Sequence, residues 1–533
     1  MSAKVSIPTV EDVIRDDAER ARSLGTVERE VFLAQRAAVL DGLVADPLVA
    51  LRAAIEGLQA GAASAAKGPA SPPPDEGATD TANANRFIRL FGERVRYCDL
   101  ESRWYIYRAG RWTPDEKLVT AEWMRQALLT IFEDATRAAD DREAKSLAKW
   151  GAHSLSNAAR KAALECAKSD PRVAVHPCEF DRGAYLLNCP NGTLDLVTRE
   201  LRPHDPADLL RKVTGAPYNA EAASELWERV VTEATGDDVE FRDALQRAVG
   251  YSATGDTREE AFFILAGGTQ TGKSTVCQAV ENALGDYAAS VNPDTWLERP
   301  SVGGTRDDLL RLDGVRMAVS AEAGRHSRMA TAMMKSFTGG DRLTVRGVYQ
   351  RDRELQPVTK PWIHTNDVPT MPDDDAAIWR RAVIFPFEHR PAHPDARVKA
   401  TLSDPAVSGA AVLAWAVEGC YAWQERGLAM PDVVRLATDV VRLRMDPLAD
   451  FFDEFCAFEL DVWTSAGDLR AAYEKWRKAY PRSRTIPPKE FGQRLSDRGL
   501  ESSKRHGIRG WLGVRLTAAT YIETTFPGVG RGR

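Results

Sequence analysis

The feature that most constrains this chain is a short glycine-rich run placed between two different periodicities. Gly267-Gly268-Thr269-Gln270-Thr271-Gly272-Lys273-Ser274 fits the pattern GxxxxGK[ST]. The run Ala261 to Ala266 before it is continuously apolar, as a strand buried on both faces would be. After it, Ser274 to Leu284 reads as a helix, with Val276, Val280 and Ala283 on one side and Gly285 as a stop signal. Strand, glycine loop and helix in that order let backbone N–H groups close around phosphate oxygens and aim a helix N-terminus at them. Gly267 to Ser274, together with Thr275, are therefore the expected ATP-binding residues. Lys273 would reach the β- and γ-phosphates, and Ser274 would hold Mg²⁺.

A phosphate cradle becomes a hydrolase only with an acidic group at the end of a neighbouring strand. The apolar run from Val315 ends in Ser320-Ala321-Glu322, so Glu322 is the expected catalytic and metal-handling acid, 49 residues beyond Lys273. Position 321 is alanine where an Asp often accompanies such a Glu, and a surface glutamate at a strand end is the competing reading. The run Pro361 to Thr365 ends in Asn366, whose amide could orient water against a γ-phosphate. Arg380 and Arg381 then precede the apolar run Ala382 to Phe387. An arginine at a subunit edge can complete a neighbour's site, although a structural ion pair is the plainer reading of two arginines. Between these runs, Gly339-Gly340 announces a turn, followed by Arg342, Arg346, Arg351 and Arg353 along an expected hairpin. With Lys335 just upstream, these are the expected DNA contacts of the core; a solvated loop balanced by Asp341, Asp352 and Glu354 is the alternative.

The chain is long enough for several domains: 533 residues, 28% charged, with a net charge of −6. The start carries acids early and lacks an apolar signal-peptide core, and no stretch resembles a membrane span, so a cytoplasmic protein is expected. Seven scattered cysteines with no CxxC pair imply reduced thiols, not zinc. The eight histidines are dispersed and read as structural. Five segments are expected: a helical segment 1–58, a flexible linker 59–82, an α+β domain 83–215, an α/β domain 216–440 with a mostly parallel sheet, and a basic domain 441–533. Within the third of these, 117–168 reads as a long helical stretch and Asn191-Gly192 as a hairpin turn. Residues 465–533 hold 15 basic and 6 acidic residues, against the acidic balance of the whole. That tail reads as a winged helix. Leu469, Tyr473, Trp476 and Tyr480 form one apolar face, and a second helix opens at Pro487-Pro488 with Arg494 and Arg498 outward. Lys489, Arg494, Arg498, Lys504 and Arg505 are its expected DNA contacts; a protein-docking winged helix is the competing reading.

Taken in order, the P-loop run, VSAE, KSFTGGDRLTVR, IHTND and WRRAVIFPF resemble the superfamily 3 helicase core of the phage/plasmid primase–helicase family, which shares its architecture with the poxvirus primase–helicase. The resemblance extends upstream through RWYIYRAGRWTPD and LLNCPNGTLDLVTRELRPHD and downstream through DPLADFF, covering roughly 79–516. It implies an AAA+-like P-loop ATPase that uses ATP and Mg²⁺ to pull single-stranded DNA, 3′ to 5′, through a homo-hexameric ring. By position it makes Glu322 the catalytic acid, Asn366 the γ-phosphate sensor and Arg380 or Arg381 the finger acting in trans. Single-stranded and forked DNA are the implied partners, with a separate primase or origin protein beside them. No primase catalytic domain is evident ahead of the matching region, and no His-apolar-His pair suggests a nicking nuclease. An ATP-dependent origin-binding or helicase-loading switch, and an RNA-directed motor, are the rival functions.

Overall fold

The computed structural model describes residues 77–298, 306–321, 327–345, 353–391, 395–480 and 485–517. The expected helical segment 1–58, most of the linker, and Glu322, Arg346 and Arg351 lie outside them. Arg353 is placed only as backbone, at the start of a strand.

The centre is a five-stranded, wholly parallel sheet. Its strands are β1 (Phe262–Ala266), β2 (Ala288–Val291), β3 (Met317–Ser320), β4 (Lys360–Thr365) and β5 (Ala382–Pro386). Their spatial order is β5-β1-β4-β3-β2. Alternation along β1 explains its continuous apolar sequence. Phe263 and Leu265 face one buried cluster, while Phe262 and Ile264 face another on the opposite side. The first cluster is built with helices α1 (Glu225–Thr235), α2 (Val239–Ser252) and α3 (Lys273–Leu284), and with the later helix Ala410–Arg426. The helix α2 crosses Ala410–Arg426 almost backbone to backbone. A Cβ on Gly250 would lie 2.0 Å from the Cys420 nitrogen, so only glycine permits this crossing.

One fully buried cation ties the sheet to the segment before it. Arg316, at the entry to β3, donates to the carbonyls of Ala253 (2.7 Å), Gly183 (3.0 Å) and Leu186 (2.7 Å). It also lies over the Tyr287 ring, 4.3 Å from its centroid. Lys360, at the entry to β4, is buried nearby on the carbonyls of Thr254 and Val358. Burial, and then the charge of Arg316, push the Lys360 pKa well below the ordinary lysine value.

The upstream segment carries a three-stranded antiparallel sheet (95–114), helices, and a hairpin of Leu186–Cys189 with Gly192–Asp195. The stretch 117–168 is not one helix but three, Val119–Thr136, Asp141–Ser154 and Asn157–Ala167. Asp140 and Ser156 each turn a side chain onto a backbone N–H three residues on, starting a new helix at each place. The hairpin forms, but its turn is Pro190-Asn191, because Gly192 pairs with Cys189 across the ladder.

Downstream, Cys456–Ser465, Ala466–Ala479, Pro488–Asp497, Glu501–Arg505 and Ile508–Leu516 follow in the order strand, helix, helix, strand, strand. Their core holds Leu469, Tyr473, Trp476 and Leu495. Tyr480 does not extend that face inward; it lies past the helix, exposed, its ring against Trp476 and its hydroxyl on Glu454. No single described helix is long and apolar enough to cross a membrane. A bent pair, Arg397–Ser403 with Pro405–Arg426, passes by length and composition, yet most of the second helix is buried in the first cluster against the central sheet.

Candidate active site

The parallel register brings three strand ends together. Thr365 pairs with Ala266 on one side of β1, and Pro386 pairs with Ala266 on the other. Residues just beyond β4 and β5 therefore flank the 267–272 loop, in the crevice outside the carboxyl ends of the strands. The loop is seated tightly. A Cβ on Gly267 would come within 1.9 Å of the Phe387 carbonyl oxygen, and Phe387 N–H donates to Ala266 at 2.7 Å. Gly267 is thus dictated by the strand beside it.

The helix α3 begins at Lys273, whose side chain is almost wholly buried. Its ammonium donates to the carbonyls of Gly267 (2.7 Å) and Gly268, to Thr271 Oγ1 (3.2 Å) and to Asn366 Oδ1 (3.3 Å). Lys273 and Asn366, 93 residues apart in sequence, meet here. Thr365 Oγ1 fixes the turn that presents Asn366, donating to the Asp367 carbonyl at 2.7 Å. A cleft of about 1100 Å³ opens over the loop, lined by Thr269 to Thr275, Ala321 and Asn366 among others. Glu322 falls outside the described residues, but its neighbour Ala321 lines this cleft.

Sequence reasoning missed the other walls. Arg229 and Glu233 of α1 line one side; Val398 and Lys399 of the helix Ala396–Ser403 line another. His364 and His389, grouped with the structural histidines, also line it. Next to His389, Arg390 reaches over the loop: a Cβ on Gly268 would meet its Nη2 at 3.6 Å. Arg390 is exposed and has no ion-pair or hydrogen-bond partner among the described residues. The available signal was positional, since Arg390 follows the strand adjacent to β1 at its carboxyl end.

The paired arginines lie at the other edge of the sheet. Arg380 and Arg381 end the helix Ala376–Arg381 before β5, and both contact Glu260 just before β1, at 2.6 and 2.5 Å. Arg381 is largely buried (side chain 11% exposed) and Arg380 projects (68%).

The expected DNA contacts divide. The strands Leu343–Val345 and Arg353–Leu355 pair antiparallel as the expected hairpin, with Arg342 exposed and 3.4 Å from Glu354. Lys335 is ion-paired to Asp375 at 2.8 Å. Arg494 corrects the outward assignment: its side chain is 6% exposed, held by Asp373, Asp446 (3.4 Å) and Glu490 (3.1 Å). Burial opposes its charge, but these carboxylates outweigh burial and raise its pKa. Arg498 remains exposed as expected, but it is bonded to Asp446 and stacked over Phe452. Lys489, Lys504 and Arg505 are exposed as expected.

Residues 84–236 match a protein-family model described as "D5 N terminal like". A putative helicase of Acanthamoeba polyphaga mimivirus is 27% identical over 308 residues, covering 53% of this chain and 32% of that protein. A putative helicase of Frog virus 3 is 26% identical over 243 residues, covering 42% and 25%. The chain thus carries a D5 N-terminal-like segment and is similar to viral proteins named as putative helicases. It spans about a third or less of the length of these viral relatives. Among solved structures, the apo C-terminal region of NrS-1 aligns over 81% of this chain and 99% of that one, at 10% identity and a TM-score of 0.43.

Proposed function

We propose that this chain is a member of the primase–helicase family and an ATP-driven DNA helicase of superfamily 3. It has an AAA+-like P-loop core and translocates 3′ to 5′ on single-stranded DNA as a homo-hexameric ring. The observation that carries the reading is the meeting of Lys273 and Asn366 over a glycine loop at adjacent parallel strand ends. The strand order β5-β1-β4-β3-β2 agrees with it, and the cleft is large enough for a nucleoside triphosphate.

In this reading the loop N–H groups and the start of α3 bind the phosphates, and Lys273 swings from its carbonyls onto the β- and γ-oxygens. The Ser274 hydroxyl and the Lys273 ammonium, both lining the cleft, suit a magnesium triphosphate, and Glu322, outside the described residues, would add a carboxylate. Mg²⁺ held by Ser274 and Glu322 would neutralise phosphate charge. Asn366 orients the attacking water, and Arg390 adds a second cation over the same loop. Losing one charge-assisted contact costs about 1.5–3 kcal/mol, or about ten- to a hundredfold in affinity. Lys273→Ala is expected to weaken ATP binding by about a hundredfold and Arg390→Ala by about tenfold, read by titration with a fluorescent ATP analogue. Unchanged affinity in Arg390→Ala would remove that residue from the site.

The hairpin 343–355 would line the DNA channel. The C-terminal module would act as a winged helix, touching phosphates through Lys489 and its Lys504-Arg505 strand while Arg494 and Arg498 dock it on the core. A separate primase or origin protein would complete the system. Unwinding of forked duplexes carrying one 3′ or one 5′ tail tests the whole. Opening only from the 3′ tail, lost in Lys273→Ala, supports the motor. ATP and DNA binding without opening would favour the loading switch, which Ala321 in place of an aspartate already suggests.

A further inference from the structure

Outside the nucleotide cleft, a nucleophile and a base meet in the upstream segment. His176 caps the short turn Pro177–Glu179, and its Nδ1 accepts from the Cys178 N–H at 3.3 Å. Glu179 accepts from the His176 N–H at 2.7 Å, which pins the turn from the other side. A nitrogen that accepts a backbone N–H carries its lone pair there, so the ring proton sits on Nε2. The Cys178 sulfur lies 2.8 Å from that same Nδ1. An S–H aimed at this nitrogen shares its one lone pair with the backbone N–H, and transfer of the thiol proton to Nδ1 would replace that N–H contact. Arg182 completes the group. Its Nε donates to the Cys178 carbonyl at 2.7 Å and its Nη2 lies 3.5 Å from the sulfur, where a thiolate's charge would develop.

His176 and Cys178 are both exposed, and His176, Pro177 and Glu179 line a cleft of about 680 Å³. Cys178 does not itself line that cleft, but an exposed thiol with a base within hydrogen-bond reach and a cation near its sulfur has the parts of an activated nucleophile. The chain also provides a comparison. Of its seven free cysteines only Cys166 and Cys178 are exposed, and Cys166 has no imidazole or guanidinium at its sulfur among the described residues.

We propose that Cys178, with His176 as base and Arg182 as the charge partner, is a reactive thiol that forms mixed disulfides with low-molecular-weight disulfides such as oxidised glutathione. His176 Nδ1 takes the thiol proton, and the Cys178 thiolate attacks one sulfur of the disulfide. A new S–S bond forms as the old one breaks, and the other half leaves as a thiolate with the electron pair. Cys178 is oxidised, the departing half is reduced to a thiol, and a dithiol reductant reverses the step.

The test uses the full chain at pH 7 with oxidised glutathione, following each cysteine by peptide mass spectrometry. Cys178 is expected to react about tenfold faster than Cys166. His176→Asn keeps a capping oxygen for the turn but removes the base; Arg182→Gln removes the cation. Each should bring the Cys178 rate down toward that of Cys166 and leave Cys166 unchanged. Equal rates at the two cysteines in the wild-type chain, or a Cys178 rate untouched by both substitutions, would overturn the proposal.

Discussion

Arg380→Ala is expected to lower ATP turnover by about 10³-fold or more while leaving ATP affinity unchanged, the size of effect typical of an arginine that completes a neighbour's site. The expectation comes from where the residue stands. The strand β5 separates it from the glycine loop, and its five residues, four steps of about 3.3 Å, put roughly 13 Å of strand between the two ends. An arginine there is poorly placed for its own cleft, and in the proposed ring it would serve one on an adjoining subunit. Arg381 differs. Its buried side chain holds Glu260 at the mouth of β1, so Arg381→Ala should lower stability first and turnover only through it. Mixing subunits separates the roles. Arg380→Ala and Lys273→Ala are each inactive alone, but together they should recover part of the ATPase activity, since each supplies what the other lacks. Full activity in Arg380→Ala, or no recovery on mixing, would refute action in trans.

Arg316→Met is expected to destabilise the fold by about 3–5 kcal/mol, measured by denaturant unfolding. Three buried carbonyls, of Ala253, Gly183 and Leu186, share this one guanidinium. Methionine fills similar volume but donates nothing, and a buried acceptor left without a donor costs about 1–3 kcal/mol. Part of that loss is offset because a fully buried cation no longer has to be desolvated. The substitution also relieves Lys360 of a like charge, so its pKa should move back toward the ordinary value. A loss below about 1 kcal/mol would mean that the carbonyls find other donors and that Arg316 does not hold the upstream segment to the sheet.

The parts of the fold carried by contiguous residues were legible in the sequence. Strands buried on both faces print as apolar runs, and the loop between β1 and α3 is one unbroken stretch, so both could be read without any contact information. The same reading joined three helices across 117–168, because each break rests on a single capping residue, Asp140 or Ser156, inside an otherwise helical pattern. Arg494 was misread for a different reason. Its helix offers a polar face in isolation, and the carboxylates that claim that face, Asp373 and Asp446, are 121 and 48 residues away. Arg390 was passed over because nothing local marks it. Only the pairing of β5 with β1 places it over the glycine loop.

The acidic turn Asp373-Asp374-Asp375 receives three parts of the molecule at once. Lys335, from the helix leading into the hairpin, is bonded to Asp375, and Arg494 of the C-terminal module is bonded to Asp373. Asp375 also caps the helix that ends in Arg380 and Arg381. The turn is therefore a crank. A pull on the hairpin or a tilt of the C-terminal module arrives at the same three residues, and the arm that leaves them carries the two arginines. Strain from the parts expected to grip DNA has a path of a single helix, six residues long, to the groups expected to govern hydrolysis next door.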